Sequence, residues 1–230
     1  SKFNTMLQGA EIATKLLPKF LTGKPTPEDI EKAEKIVDYI TDFKLIPLSE
    51  ERAKIFGKQE KLMLVIDSYW LKEAFDKYSE IIGEKCTSKV IENLTEKIKN
   101  LLKRDDDGTY YSFYEEIDYK IDEPIEMLTF ILKRILLAKA KNDVEAMTKI
   151  LETYFKNKYL YFPKMALYVI GQNIDKYSEL LWKILHTEIG YIIMEKTLYL
   201  GDELKHLLEN LKNLSEEQRE ALNKKIESSW

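Results

Sequence analysis

At 230 residues, 44% of them hydrophobic and 33% charged, the chain is long enough to bury a real core in one large domain or two small ones. Its 36 Lys+Arg against 40 Asp+Glu leave a formal charge of -4 at pH 7, which argues against the net basic face that a nucleic-acid module needs and leaves only a local basic patch open. A single cysteine, Cys86, the lack of an N-terminal apolar signal core, and a longest apolar run of only Leu62-Met63-Leu64-Val65-Ile66, against the roughly 20 residues of a membrane span, point to a cytoplasmic chain with no membrane partner.

Only 8 Gly and 6 Pro, set against abundant Lys, Glu, Leu and Ile, predict an all-α fold in which strands are scarce at best. The first helix is expected from Phe3 to Leu21, with Pro18 kinking or ending it. The second runs from Pro27 to Phe43. Thr26 supplies a capping hydroxyl, Pro27 is tolerated in the first turn, and Glu28 and Asp29 suit the positive end of the dipole. Its buried stripe is Ile30, Ala33, Val37 and Ile40. From Ser49 to about Gly83 the pattern reads as helix with a break near Asp67-Ser68, Gly83 closing the second piece. Thr87 or Ser88 caps the next helix, whose stripe is Val90, Leu94, Ile98 and Leu101 and which stops at Lys103-Arg104.

Residues 105–123 read as an acidic and aromatic loop between an N-terminal helical part, 1–104, and C-terminal helical repeats, 124–230, together one continuous helical domain. After Pro124, the helix Ile125 to Ala140 is apolar on more than half its circumference through Ile125, Leu128, Ile131, Leu132, Ile135 and Leu136. It is therefore covered on more than one side. Three cleaner stripes follow: Val144, Met147, Leu151 and Tyr154; Met165, Val169 and Ile170 after Pro163; Tyr177, Leu181, Ile184 and Leu185. Gly171 and Gly190 are plausible stops. A last pair runs through Leu204, Leu207 and Leu211 and then from Ser215, where Ser215-Glu216-Glu217-Gln218 has capping-box form.

Short connections imply antiparallel neighbours, and repeated helix pairs suggest an α-solenoid-like array, irregular but of the HEAT or TPR kind. The self-similarity of Asp76-Lys77-Tyr78-Ser79-Glu80-Ile81-Ile82 with Asp175-Lys176-Tyr177-Ser178-Glu179-Leu180-Leu181 favours that arrangement. An irregular helical bundle is the alternative.

The search for chemistry yields no catalytic, cofactor-binding or metal-ligating set. Gly23-Lys24 is followed by Pro25 and Gly57-Lys58 by Gln59, so neither is a phosphate-binding loop. Asp105-Asp106-Asp107 lacks the alternating ligands and closing Glu of a Ca²⁺ loop. It also lacks the second half of an Asp-Asp-x-x-Asp motif, because Thr109 or Tyr110 stands where the last Asp belongs. Glu203-x-x-His206 places two ligand types on one helix face, yet di-iron bundles need a second such motif. Neither His186 nor His206 follows an arginine at nuclease spacing. Cys86, at a helix end and remote in sequence from both histidines, reads as structural, and Trp70 and Trp182 read as packing. The chain is thus expected not to be an enzyme and to hold no cofactor. A helical enzyme with a carboxylate or metal site, or a helical dimerisation domain, is the alternative. Tyr110, Tyr111, Phe113 and Tyr114 are the candidate partner contacts, because aromatic side chains clustered in a loop are hard to bury.

Three segments carry a family resemblance: Ser68-Tyr69-Trp70-Leu71-Lys72-Glu73-Ala74-Phe75; Tyr161-Phe162-Pro163-Lys164-Met165-Ala166-Leu167-Tyr168-Val169-Ile170 with Glu179-Leu180-Leu181-Trp182; and Leu214-Ser215-Glu216-Glu217-Gln218-Arg219. In that order, with Asp107-Gly108-Thr109-Tyr110-Tyr111-Ser112 between the first two, residues 60 to 228 resemble the C-terminal helical-repeat region of bacterial and archaeal antiviral STAND NTPases, the Avs proteins. The resemblance implies a module that senses a phage protein and relays this to a nucleotide-binding core and an effector upstream. It implies that the chain is a sensor fragment whose partner is a foreign protein or the remainder of the parent chain. No ligand residues carry over from it.

Overall fold

The computed structural model describes residues 9–56, 59–105 and 124–185, together with residues 187, 203, 207, 215, 216, 220 and 224. The described residues are mostly helical, as the composition predicts, with one small two-stranded sheet. The chain divides into two compact units, Ser1–Leu101 with Ile117–Lys139, and Leu102–Glu116 with Ala140–Trp230.

In the first unit, where Pro18 is expected to kink or end its helix, the helix does not end there. Proline offers no N–H and its ring crowds the preceding turn. The chain accommodates it by widening to a π-helical turn over Ile12–Leu16, in which the N–H of Leu17 reaches the carbonyl of Ile12. Helix α1 (Leu17–Leu21) continues with Pro18 in its first turn. Ala10, Ala13, Leu17 and Leu21 form the buried stripe through both. Helix α2 (Pro27–Ile40) starts with a full capping box: Thr26 Oγ1 accepts from the Asp29 amide at 3.2 Å, and Asp29 Oδ2 accepts from the Thr26 amide at 3.0 Å. The π-helical turn, α1 and α2 pack together.

Phe43 and residues 60–64 are strand where helix is expected, whereas residues 50–56 are helical as expected. Strand β1 (Phe43–Pro47) pairs antiparallel with β2 (Glu60–Leu64), and the short helix α3 (Glu50–Phe56) lies in the connection. The apolar run Leu62 to Ile66 is too short for periodicity to separate strand from buried helix. One feature favours the strand: Phe43-Lys44-Leu45-Ile46 stands ready to pair with it. The break expected at Asp67-Ser68 is present, with Asp67 capping helix α4 (Ser68–Lys85) through a 2.9 Å bond from the Tyr69 amide.

Gly83 does not close α4. It lies inside the helix where α4 meets helix α6 (Pro124–Asn142), and a Cβ there would stand 2.6 Å from the Ala138 Cβ and 2.8 Å from the Ile135 carbonyl oxygen. Glycine serves here for close approach of two backbones, not for termination. The helix ends instead at Cys86, whose N–H bonds the Ile82 carbonyl. Two buried side chains then hold the turn into helix α5 (Lys89–Asp105). Glu34 of α2 accepts from the Thr87 amide at 2.7 Å, and Lys139 of α6 donates to the Cys86 carbonyl at 3.1 Å. Lys97 of α5 closes the C-terminal end of α2, donating to the Asp38 carbonyl and to Thr41 Oγ1 and pairing with the Asp38 carboxylate at 3.0 Å. The α6 face is covered broadly, as expected: Met127, Leu128, Ile131, Leu132, Ile135 and Leu136 are all buried.

In the second unit, helices α7 (Val144–Phe155), α8 (Tyr161–Gln172) and α9 (Ile174–Leu185) contact one another. Helix α8 carries no single stripe, because every residue from Tyr161 to Gly171 is buried. Gly171 sits within its last turn, and Asn173 ends it. Tyr177 of α9 donates to the Ala140 carbonyl at 2.9 Å, and burial pushes its phenol up to about 12. Lys164 of α8 and Glu203 form a buried ion pair at 3.8 Å. The two self-similar segments share burial in part: Ile82 and its counterpart Leu181 are both fully buried, while Ser79 is buried where Ser178 is half-buried and Tyr177 is buried where Tyr78 is half-buried.

Gly83→Ala tests the α4–α6 approach. The added methyl cannot fit without backbone movement, so thermal or urea unfolding should register a loss of about 1–3 kcal/mol. An unchanged transition would show that the two helices are not in contact there.

Candidate protein-contact surface

Tyr110, Tyr111, Phe113 and Tyr114 lie outside the described residues, as do Asp106, Asp107, His186, His206 and Gly190. Of the Glu203-x-x-His206 pair only Glu203 is described, and its carboxylate faces the Lys164 ammonium, a buried charge compensation that suits a structural role. Cys86 is buried, and burial, with the nearby Glu34 carboxylate adding to it and Lys139 opposing, pushes its thiol up to about 12. A thiol in that state is a poor nucleophile at neutral pH. Trp70 and Trp182 are both half-buried.

The feature that sequence reasoning missed is the surface around the hairpin. Among the described residues, the large apolar side chains exposed by two-fifths or more are Tyr39 (50%), Leu45 (43%), Met63 (42%), Tyr69 (65%) and Val144 (41%). All but Val144 fall on the continuous stretch from the end of α2 to the start of α4. The four are close in sequence, and by the register Leu45 and Met63 lie on opposite faces of the hairpin. Val65 N–H donates to the Asp42 carbonyl at 2.8 Å, so the chain enters and leaves the hairpin at one end. Tyr39 lies three residues before Asp42, with the Asp42 amide bonded to the Tyr39 carbonyl, and Tyr69 lies four residues after Val65. Tyr69 stands edge-on to Trp70, ring centroids 5.0 Å apart and planes at 82°, which holds the exposed phenol against a half-buried partner.

The remainder of this end is polar and fixed. Lys97 binds the last turn of α2, and Asp67 caps α4. A two-stranded hairpin alone is marginal in water, so its attachment at Leu64 and Ile66, both buried, matters. Gly9 touches Ile66, a Cβ at Gly9 coming within 3.0 Å of its side chain. The hairpin is thus anchored at the Leu64 end, and its apolar side chains Leu45 and Met63 are left to solvent. Chemically the surface can offer apolar contact area, tyrosine hydroxyls and backbone hydrogen-bonding groups. These are means of binding a protein.

The Cys86 thiol gives a direct check on the first unit. At mildly alkaline pH its reaction with a disulfide reagent should be on the order of 100-fold slower in the native protein than in urea. Equal rates would show that the α4–α5 turn is open.

Comparison of the chain with known protein families, with curated proteins and with solved structures finds no match.

Proposed function

We propose that the chain is a protein-recognition module, acting as the partner-sensing helical region of an antiviral STAND NTPase, and not as an enzyme. The observation that carries this reading is the concentration, among the described residues, of exposed Tyr39, Leu45, Met63 and Tyr69 on one stretch of the chain, on and beside the hairpin. Aromatic and methionine side chains are the residue types enriched in protein interfaces. They stand on a frame with little freedom, because α2, α4, α5 and α6 are tied by Glu34, Lys97 and Lys139. Rigid presentation lowers the entropic cost of binding.

The resemblance to Avs sensor regions supports the same direction. Its first segment opens α4 beside the exposed tyrosine, and its second is the wholly buried α8. A stacked array of antiparallel helix pairs belongs to this reading. The short connections at 143 and 173 and the mutual packing of α7, α8 and α9 support it. The partner is a foreign protein or the remainder of a parent chain.

A photo-reactive phenylalanine analogue at position 63 or 69, compared with one at Lys149 on the outer face of α7, tests the proposal in phage-infected cells. One protein captured from positions 63 and 69 and not from 149 is the expected result. Capture that is equal from all three positions, or absent from all, would refute it.

A further inference from the structure

We infer that the free edge of β2 is a strand-addition site for an extended segment of alternating acidic and apolar residues, a mode of binding that rests on the recognition reading above. The starting point is the register of the hairpin. The N–H of Val65 donates to the Asp42 carbonyl at 2.8 Å and the N–H of Leu48 to the Gln59 carbonyl at 2.9 Å. Bonded and non-bonded pairs alternate along an antiparallel ladder. The bonded pairs between these two are therefore Lys44 with Met63 and Ile46 with Lys61, in agreement with the observed pairing. The intervening residues turn their backbone groups away from the partner strand.

That alternation makes the two edges unequal. On β1 the outward groups belong to Phe43, Leu45 and Pro47, and Pro47 has no N–H to give. On β2 they belong to Glu60, Leu62 and Leu64, each with both a donor and an acceptor. Among the described residues the sheet has no third strand. Proline on an edge is a known means of blocking pairing. The β1 edge is blunted in this way, and the β2 edge is not.

Side chains then define the occupant. Lys44, Met63, Ile46 and Lys61 share one face through the register, and that face carries two ammonium groups and no carboxylate. Among the described residues neither lysine takes part in an ion pair. The other face is apolar through Phe43, Leu45, Leu62 and Leu64, with Glu60 opposite Pro47 at its far end. A strand laid against β2 sets alternate side chains beside Lys61 on one face and beside Leu62 and Leu64 on the other. The complement is acidic at one parity and apolar at the other. A second copy of this chain fits less well, since self-pairing through β2 would gather Lys44 and Lys61 of both copies on one face.

The test is fluorescence anisotropy of a labelled peptide of alternating valine and glutamate titrated with the whole chain. Saturable binding is expected, with none for the valine–lysine peptide. Lys61→Glu should weaken the valine–glutamate peptide by about tenfold or more and admit the valine–lysine peptide. Leu62→Pro removes an outward N–H without touching the ladder and should abolish binding, whereas Leu45→Pro, on the other edge, should leave it intact. Circular dichroism identifies any proline variant that fails to fold, and the charge exchange at Lys61 decides the matter without them. No binding, or binding indifferent to both Lys61→Glu and Leu62→Pro, would overturn strand addition. So would a dimer formed by the free chain and lost in Leu62→Pro, which assigns the edge to a second copy. Specific capture from positions 63 and 69 in the absence of peptide binding would remove only the strand-addition mode and leave the recognition reading standing.

Discussion

The turn between α4 and α5 exposes two backbone groups that neither helix can satisfy, and the frame of the first unit depends on how they are met. Glu34 from α2 takes the Thr87 N–H, and Lys139 from α6 supplies the Cys86 carbonyl. Both side chains are buried, so each ion carries a desolvation cost that only its partners offset. Loss of either would leave a buried charge and an unmet backbone group together, a combination worth several kcal/mol. Gly83 lies one turn earlier and lets α4 touch α6 closely enough for Lys139 to reach. Four helices are thereby referred to one point. Hydrophobic burial supplies the bulk of the free energy, but burial is non-directional, and these bonds fix which helix stands where.

From this frame the hairpin follows. Lys97 closes the end of α2 and Asp67 opens α4, so the strands begin and end at defined places. Ile66 and Leu64 anchor one end of the ladder in the core, and the remaining strand residues lie at the surface. The strands gain little from burial of their own. Their exposed side chains are tolerated because the anchoring helices carry the stability, which is the usual relation between a scaffold and a binding element.

The sequence was legible where one physical signal dominated. Thr26-Pro27-Glu28-Asp29 predicts the start of α2 because cap, proline and carboxylates all favour the same end of a helix, and a capping box forms there. Asp67 behaves likewise. Misreadings arose where one residue type serves two purposes. Gly83 has the look of a stop, yet it is a contact glycine, and only the partner Ala138 distinguishes the two. Pro18 reads as a breaker, but a single π-helical turn absorbs it. The run Leu62 to Ile66 was assigned to helix because five apolar residues have no periodicity to read. The pairing segment 43–47, with its proline at the far end, was the signal that could have corrected this. The surface site was missed for a related reason, since Leu45 and Met63 are indistinguishable from core residues until the register is known. The likeness between residues 76–82 and 175–181 is matched by burial only in part, most clearly at Ile82 and Leu181.

The proposed recognition role relies on a firm frame presenting an open edge. Native-state hydrogen exchange reads both parts at once. The Thr87 amide, bonded to buried Glu34, should exchange only with global unfolding, while the outward amide of Leu62 should exchange at close to the rate of an unprotected peptide. Exchange of Thr87 as fast as Leu62 would contradict the account, because the turn would then not be held and the hairpin would have no fixed base.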